Sequence, residues 1–428
     1  MKNAQKGPIE LHRKYRGKIQ IASKVPFPAH EYLAWWYTPG VAEACREIVR
    51  RPEAVYEMTN KGNTIGIIND GTRILGLGDI GPEAGLPVME GKALLFKLFA
   101  GVDALPISLA TKDVGEIVKT VKNLEPVLGG VCLEDVETPK CFDLYAKLEE
   151  MASYPIWHDD RHGTALVVLA ALYGALKVVG KRLEDVAIVM LGAGSAGAGI
   201  VELLLAAGVK PEQLICCRSN GILCVGQNEG HDVHQRLARM TNPQRRTGDV
   251  AAALEGADVF IAASKSGGWL DGSILKGMRD DKIVFSLSNP IPEMPREAAM
   301  KAGARVYATG RSDMPNQANN VLGFPGVFRG ALDTRADGIN TEMILAAARG
   351  MFEYAAEQGL SEEFIIPLGT DLEVAPRVAA AVAKAACDTG IARNPVKPDS
   401  VAEHTRRLIS AHQRIIAMLN ADLASEEG

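Results

Sequence analysis

The sequence predicts an α/β protein in three parts: a mixed N-terminal domain over residues 1–160, a doubly wound domain over 161–390 and a helical segment over 391–428. Three observations predict it. Between about residues 185 and 310, short apolar runs alternate with helical patterns. Those runs lack the two-residue alternation of half-exposed strands, as expected where parallel strands are covered on both faces. A glycine-rich turn, Gly192-Ala-Gly194-Ser-Ala-Gly197, joins the first run to a helix, the strand–turn–helix unit of a doubly wound sheet.

In the N-terminal part, runs 64–68 and 73–75 flank Asn69-Asp70-Gly71. Asp-Gly favours the positive φ of a tight turn, so a short hairpin is expected there. Residues 90–100 and 113–124 carry helical periodicity, and 155–157 read as a strand running into His158-Asp159-Asp160. The most apolar helical stretch, 164–179, has 16 residues, short of the ~20 that cross a bilayer. The strands expected next are 186–191, 214–217, 259–263, 283–287 and 305–308, with helices 199–207 and 296–302 between them. Helical patterns return at 340–357, 373–388 and 401–423; the last is amphipathic and suited to docking on a neighbour or a partner subunit.

With 47% hydrophobic and 23% charged residues and a net charge of −5, the 428-residue chain has the composition of a folded globular protein, not a disordered one. No basic run is dense enough for nucleic acid. The basic start lacks an apolar signal core, so a cytoplasmic protein with no membrane partner is expected. Seven scattered cysteines without a C-x-x-C pair disfavour a disulfide framework or a zinc ribbon.

Two stretches match G-x-G-x-x-G, and they differ in context. The first, Gly76 to Gly81, runs into Pro82, Gly85 and Pro87; no helix is expected to start there, and the stretch reads as a turn shaping a cleft. The second follows a strand and opens a helix, where free N–H groups and the helix dipole favour a pyrophosphate. Gly192, Gly194, Ser195, Ala196 and Gly197 are therefore candidate dinucleotide ligands. The next strand ends in Cys217, Arg218 and Ser219, without the carboxylate that would hold the ribose hydroxyl of NAD. Arg218 and Ser219 suit a 2′-phosphate and favour NADP; if Arg218 is only a solvated loop residue, NAD binds as well.

Glu134-Asp135 and Asp159-Asp160 each follow an apolar segment. Clustered carboxylates repel unless a cation or protons neutralise them, and hard oxygen ligands select Mg²⁺ or Mn²⁺; four solvated loop acids are the plainer alternative. His158 and His162 stand four apart, but no Cys or Glu completes a zinc motif. Lys92 lies among apolar residues, where burial would lower its pKa toward that of a working base, unless it reaches to the surface. Tyr37, before Pro39-Gly40, is either a proton donor or packing. Arg73 could clamp a carboxylate or sit exposed.

Taken in order, Tyr37-Thr-Pro-Gly-Val-Ala-Glu43, the stretch from Gly76 to Lys92, Leu133-Glu-Asp135, His158-Asp-Asp160, Thr309-Gly-Arg-Ser-Asp313 and the stretch from Asn319 to Gly326 closely resemble the malic enzyme family in its short prokaryotic form. The resemblance runs from about residue 9 to 392. It implies oxidative decarboxylation of L-malate to pyruvate and CO₂ with reduction of NAD(P)⁺, in a homodimer or dimer of dimers. On this resemblance Lys92 is the general base and Tyr37 the general acid. Glu134, Asp135 and Asp160 hold the divalent cation, with Asp159 in support. Arg73, Asn289 and Asn320 meet the substrate carboxylates, and Asn289 also meets the cofactor. Four stretches depart from the family pattern: Arg161 stands where a glutamine is usual and is expected to place a cation beside the metal ligands, Trp35 and Trp36 add bulk before Tyr37, Ser264-Lys-Ser-Gly-Gly268 replaces a Ser-Ala-Pro-Gly-like turn, and Cys217 replaces the strand-end acid. Two alternatives stay open: a redox-neutral lyase yielding lactate, and a nicotinamide sensor without turnover.

Overall fold

The computed structural model describes residues 7–25, 29–75, 77–226 and 232–426. Strands β1 (Thr64–Asn69), β2 (Asp103–Ser108), β3 (Gly130–Leu133) and β4 (Ile156–His158) form one sheet in the order β2-β1-β3-β4, every pair parallel. Strands β5 (Ile188–Leu191), β6 (Leu214–Arg218), β7 (Gly221–Ile222), β8 (Val259–Ala262), β9 (Lys282–Ser286) and β10 (Ala304–Thr309) form the second, in the order β10-β9-β8-β5-β6-β7. Among the described strands only the short β6–β7 pair is antiparallel. The chain moves to one side of β5 with β6 and to the other with β8, so the strand order switches there. In open α/β sheets ligands settle in the crevice beyond the strand ends at such a switch point. The α/β class holds, and the strands expected in the second half lie within about two residues of those observed.

Three expectations for local structure are corrected. Run 73–75 does not return as a hairpin strand. β1 is central in its sheet, with both edges taken by the parallel strands β2 and β3, so the chain leaves the sheet after Asn69. A helix does start after the first glycine motif: Pro82–Ala100 begins at Pro82, where a proline has no N–H bond to lose. Of that motif Gly76 lies outside the described residues; Gly78 and Gly81 turn the chain by bonding Ile74 and Gly71. The helix Thr164–Val179 joins the preceding turn in a 21-residue apolar run, Asp159–Val179, long enough to span a membrane by length and composition. Its place is the core, with 67% of its most apolar window buried.

The C-terminal helices fold back on the N-terminal domain. Phe324 and Phe328, in the helix Phe324–Asp333, pack against Phe96 with ring centroids 4.6 and 5.3 Å away. Arg329, 2% exposed, donates to Asn63 Oδ1 and Asp333 Oδ1, each at 2.5 Å, and Asp333 meets His404 Nδ1 at 2.9 Å. By contrast the first three helices, Pro8–Tyr15, Glu31–Trp36 and Val41–Arg50, bury none of their residues. Trp35, Trp36, Tyr37 and Val49 stand exposed there.

Candidate active site

The first sheet places the acids. Because β3 and β4 are parallel and Leu133 lies opposite His158, Glu134 and Asp159 leave the sheet side by side, followed by Asp135 and Asp160. Lys92 reaches this edge from the helix Pro82–Ala100, whose face toward the sheet also buries Met89, Ala93 and Phe96. Its Nζ donates to Asp159 Oδ2 and lies 3.0 Å from Glu134 Oε2 and 4.0 Å from the centre of the Phe324 ring. Lys92 is 7% exposed and Asp159 fully buried. Asp159 also accepts from Trp157 Nε1 at 2.8 Å and from the Asn320 amide. Three donors from three elements thus hold one carboxylate.

The electrostatics correct the expectation for Lys92. Burial alone would lower its pKa, but the charges of Asp159 and Glu134 outweigh burial and raise it above the ordinary lysine value. Burial pushes the Glu134 carboxyl well up, against the pull of Lys92. Burial, with Asp160 beside it, pushes Asp135 up to about 7. Burial opposes ionisation of Asp160 too, yet the approach of His158 and the charge of Arg73 hold it down at about 2. Asp135 is also held at φ 51°, an uncommon backbone state for a residue other than glycine, and its Oδ2 is buried with no hydrogen-bond partner among the described residues. Its backbone N–H donates to Asp160 Oδ2 at 3.2 Å.

These acids fit a hard divalent cation by their chemistry. Burial pushes two of the carboxyls up, a cost that a bound cation would offset, and one buried oxygen lacks a partner among the described residues. Among the described residues, no three His, Cys, Asp or Glu side chains already stand in a metal-holding cluster. Arg161 does not crowd the acids, contrary to expectation. It turns away and donates to Glu202 Oε2 from Nη2 at 2.5 Å and from Nε at 3.1 Å. His162 packs against Tyr145 and Trp157 and is held well below the ordinary histidine range by burial.

The second sheet supplies the glycine turn. A Cβ on Gly192 would lie 2.1 Å from Ala263 O, and one on Gly197 1.9 Å from Gly192 O, so only glycine lets β5 turn this sharply into the helix Ser195–Ala206. Above Gly194 there is open space, the cradle an incoming phosphate needs. Ser195 is buried, with Oγ 3.4 Å from His158 Nε2, so it links the two sheets; Ala196 is half-buried. Arg218 is half-buried at the end of β6, and Ser219 is exposed beside it.

Other expected residues stand further from the cluster. Asn289 is exposed on the loop after β9, its amide 3.4 Å from Gly310 O. Arg73 is exposed, and its backbone N–H donates to Asp135 O at 3.2 Å. Tyr37 is 65% exposed on the N-terminal helices. The sequence reading missed Trp157, the indole donor to Asp159, and Asp70, a buried acid paired with Lys140 at 2.5 Å. Asp70 had been absorbed into the turn signal of Asp-Gly; Trp157 carried no signal beyond preceding the acidic run.

The sequence pattern of the malic enzyme N-terminal domain matches residues 16–149, and that of the malic enzyme NAD-binding domain matches 162–387. The chain is 48% identical over 401 residues to the bifunctional malic/malolactic enzyme of Bacillus subtilis, covering 94% of this chain and 97% of that protein. It is 48% identical over 377 residues to the NAD-dependent malic enzyme of Geobacillus stearothermophilus, covering 88% and 78%. The crystal structure of malic enzyme from Pyrococcus horikoshii superposes with a TM-score of 0.93 at 45% identity, covering 97% of this chain and 98% of that one.

Proposed function

The chain belongs to the malic enzyme family, and from that premise we propose that the Lys92–Asp159–Glu134 cluster oxidises and decarboxylates L-malate to pyruvate and CO₂ with NAD(P)⁺. The observation that carries this reading is a buried lysine held between two strand-end carboxylates, joined by the His158–Ser195 contact to the glycine turn. Glu134, Asp135 and Asp160 would hold Mg²⁺ or Mn²⁺, and Gly192, Gly194, Ser195, Ala196 and Gly197 the dinucleotide. Held there, the dinucleotide would supply the hydride acceptor for malate C2, and the cation would supply polarisation of the substrate oxygens.

Lys92 Nζ, once deprotonated, takes the proton of the C2 hydroxyl, and Asp159 Oδ2, the atom it already touches, holds it in place. Trp157 and Asn320 keep Asp159 aimed at Lys92 during that transfer. Arg73, Asn289 and Asn320 orient the substrate carboxylates. A phenol, Tyr37, returns a proton to C3 after CO₂ departs. Since Tyr37 stands on exposed helices rich in uncovered aromatics, it serves the site of a second copy of this chain in a cytoplasmic homodimer or dimer of dimers.

The test is parallel initial rates with NADP⁺ and NAD⁺ on L-malate and Mn²⁺, with pyruvate and lactate both assayed. Malate-dependent reduction with pyruvate is expected, and faster with NADP⁺ if Arg218 and Ser219 read the 2′-phosphate. A second reading has one specific support: the Bacillus subtilis relative is named a malic/malolactic enzyme. Lactate formed without net reduction would favour it.

The cation site makes its own prediction. With Asp135 titrating at about 7, a proton competes for the oxygens the cation would take. Apparent Mn²⁺ affinity should climb with pH through neutrality, by about tenfold per unit for each proton displaced. Free Mn²⁺ counted by electron paramagnetic resonance in malate-free titrations reads this directly. An affinity flat from about pH 6 to about pH 8 would remove Asp135 from the ligand set.

A further inference from the structure

Glu293 is a fully buried acid that the chemistry above does not use. Its carboxylate takes five hydrogen bonds, all from neutral donors. Oε1 accepts from Ser264 N at 2.6 Å, Ser264 Oγ at 3.3 Å and Ser288 Oγ at 2.6 Å. Oε2 accepts from Ser286 Oγ at 3.0 Å and Ser288 N at 3.1 Å. Ser264 lies just after β8, and Ser286 and Ser288 lie at and just after the end of β9. One side chain therefore ties together the two loops that border the glycine turn. The loops are also joined by Gly267 N to Ile291 O at 3.2 Å and Gly268 N to Pro292 O at 2.9 Å.

The position of these loops bears on the cofactor crevice from two sides. Ala263 O, one residue before Ser264, is the atom that a Cβ on Gly192 would strike. Asn289 follows Ser288 directly. We propose that Glu293 is a positioning residue for the dinucleotide, fixing the loops after β8 and β9 in the form that receives it. The proposal rests on the crevice beyond β5, β8 and β9 being the dinucleotide site.

The clamp needs an acceptor at both of its oxygens, which a carboxyl group supplies and an amide does not. Burying a carboxylate is costly unless hydrogen bonds replace its water. Each of its oxygens faces a backbone N–H, Ser264 N on one side and Ser288 N on the other. Hydroxyls can rotate to become acceptors, but a backbone N–H cannot. A glutamine would therefore set its NH₂ against an N–H whichever way its amide is turned.

The test is fluorescence titration with NADPH and NADH, with initial rates, on the whole protein and on Glu293→Gln and Ser288→Ala. Expected for E293Q is a rise of about tenfold or more in the Kd of the dinucleotide that the unaltered protein binds. The KM for NAD(P)⁺ should rise in step, while the KM for malate at saturating dinucleotide stays within about twofold. S288A, which keeps both backbone donors, should raise the Kd by only about two- to threefold. An E293Q protein with a lower Tm but unchanged dinucleotide Kd would show a purely structural role and overturn the proposal. So would malate and dinucleotide KM values rising together. If E293Q does not fold, S288A decides alone, an unchanged Kd counting against the clamp. Failure of the unaltered protein to bind either dinucleotide would instead overturn the crevice reading on which the proposal stands.

Discussion

Lys92→Ala should lower kcat for malate oxidation by about 10²- to 10⁴-fold, the range a positioned general base contributes. It also has a stability signature that a surface lysine would not show. Removing the ammonium leaves Asp159 and Glu134 buried without the cation they touch, a loss of roughly 3–5 kcal/mol near neutral pH. The sign of its pH dependence follows from Glu134. Burial already holds that carboxyl well above its unfolded value, and Lys92 is the charge that opposes the rise. Without Lys92 the folded protein binds more protons than the unfolded chain over a wider pH range. Where the native state binds the extra proton, stability falls as pH rises. The melting difference between K92A and the unaltered protein should therefore be largest near about pH 8 and shrink toward about pH 5. Thermal melts at the two values measure it. A gap that widens on acidification, or turnover that survives the substitution, would exclude Lys92 as the buried partner of these acids.

That lysine also marks where the sequence stops being informative. The glycine turn at Gly192 was legible because all its causes are local: a strand before it, a helix after it, and glycines at fixed offsets. Glu134, Asp135, Asp159 and Asp160 were legible as a cluster because each pair follows a strand. The sign of the Lys92 shift was not, since its two partners lie 42 and 67 residues further along the chain and meet it only through the β3–β4 register. The apolar neighbours of Lys92 pointed correctly to burial, and burial without its partners gave the wrong direction. The hairpin at Asp70-Gly71 failed for the same reason. A Gly φ of 72° is present as expected, but the strands that occupy both edges of β1 come from residues 103–108 and 130–133. Arg161 read as a cation beside the acids because sequence distance is short there, whereas Glu202, 41 residues on, draws it to the other side. Glu293 gave no signal at all, for its five donors are serines and backbone amides that form no motif.

Mixing two inactive variants should restore activity. Tyr37→Phe lacks the phenol proposed to return the proton, and Lys92→Ala lacks the proposed base, so each alone is expected to be slow. If Tyr37 serves the neighbouring protomer, a mixed dimer contains one complete site, with Lys92 from one chain and Tyr37 from the other. Random exchange of equal amounts makes half the dimers mixed, so about a quarter of the unaltered activity should return, as isologous two-fold pairing requires. Should Tyr37 instead fold into the site of its own chain, every site in the mixture lacks one group and nothing returns. The two arrangements thus differ by an on–off result, not by a rate. Exposure favours recovery: Trp35, Trp36 and Tyr37 are 58%, 48% and 65% exposed on helices that bury no residue of their own. Aromatic side chains left in water on one face gain most when a second surface covers them. The same contact that buries the tryptophans would carry the phenol into the partner's cleft, so dimerisation and protonation become one event. A Trp36→Asp variant, aimed at the contact alone, should then weaken the dimer and lower turnover together, with activity regained as protein concentration rises. Activity independent of concentration in that variant would separate the two.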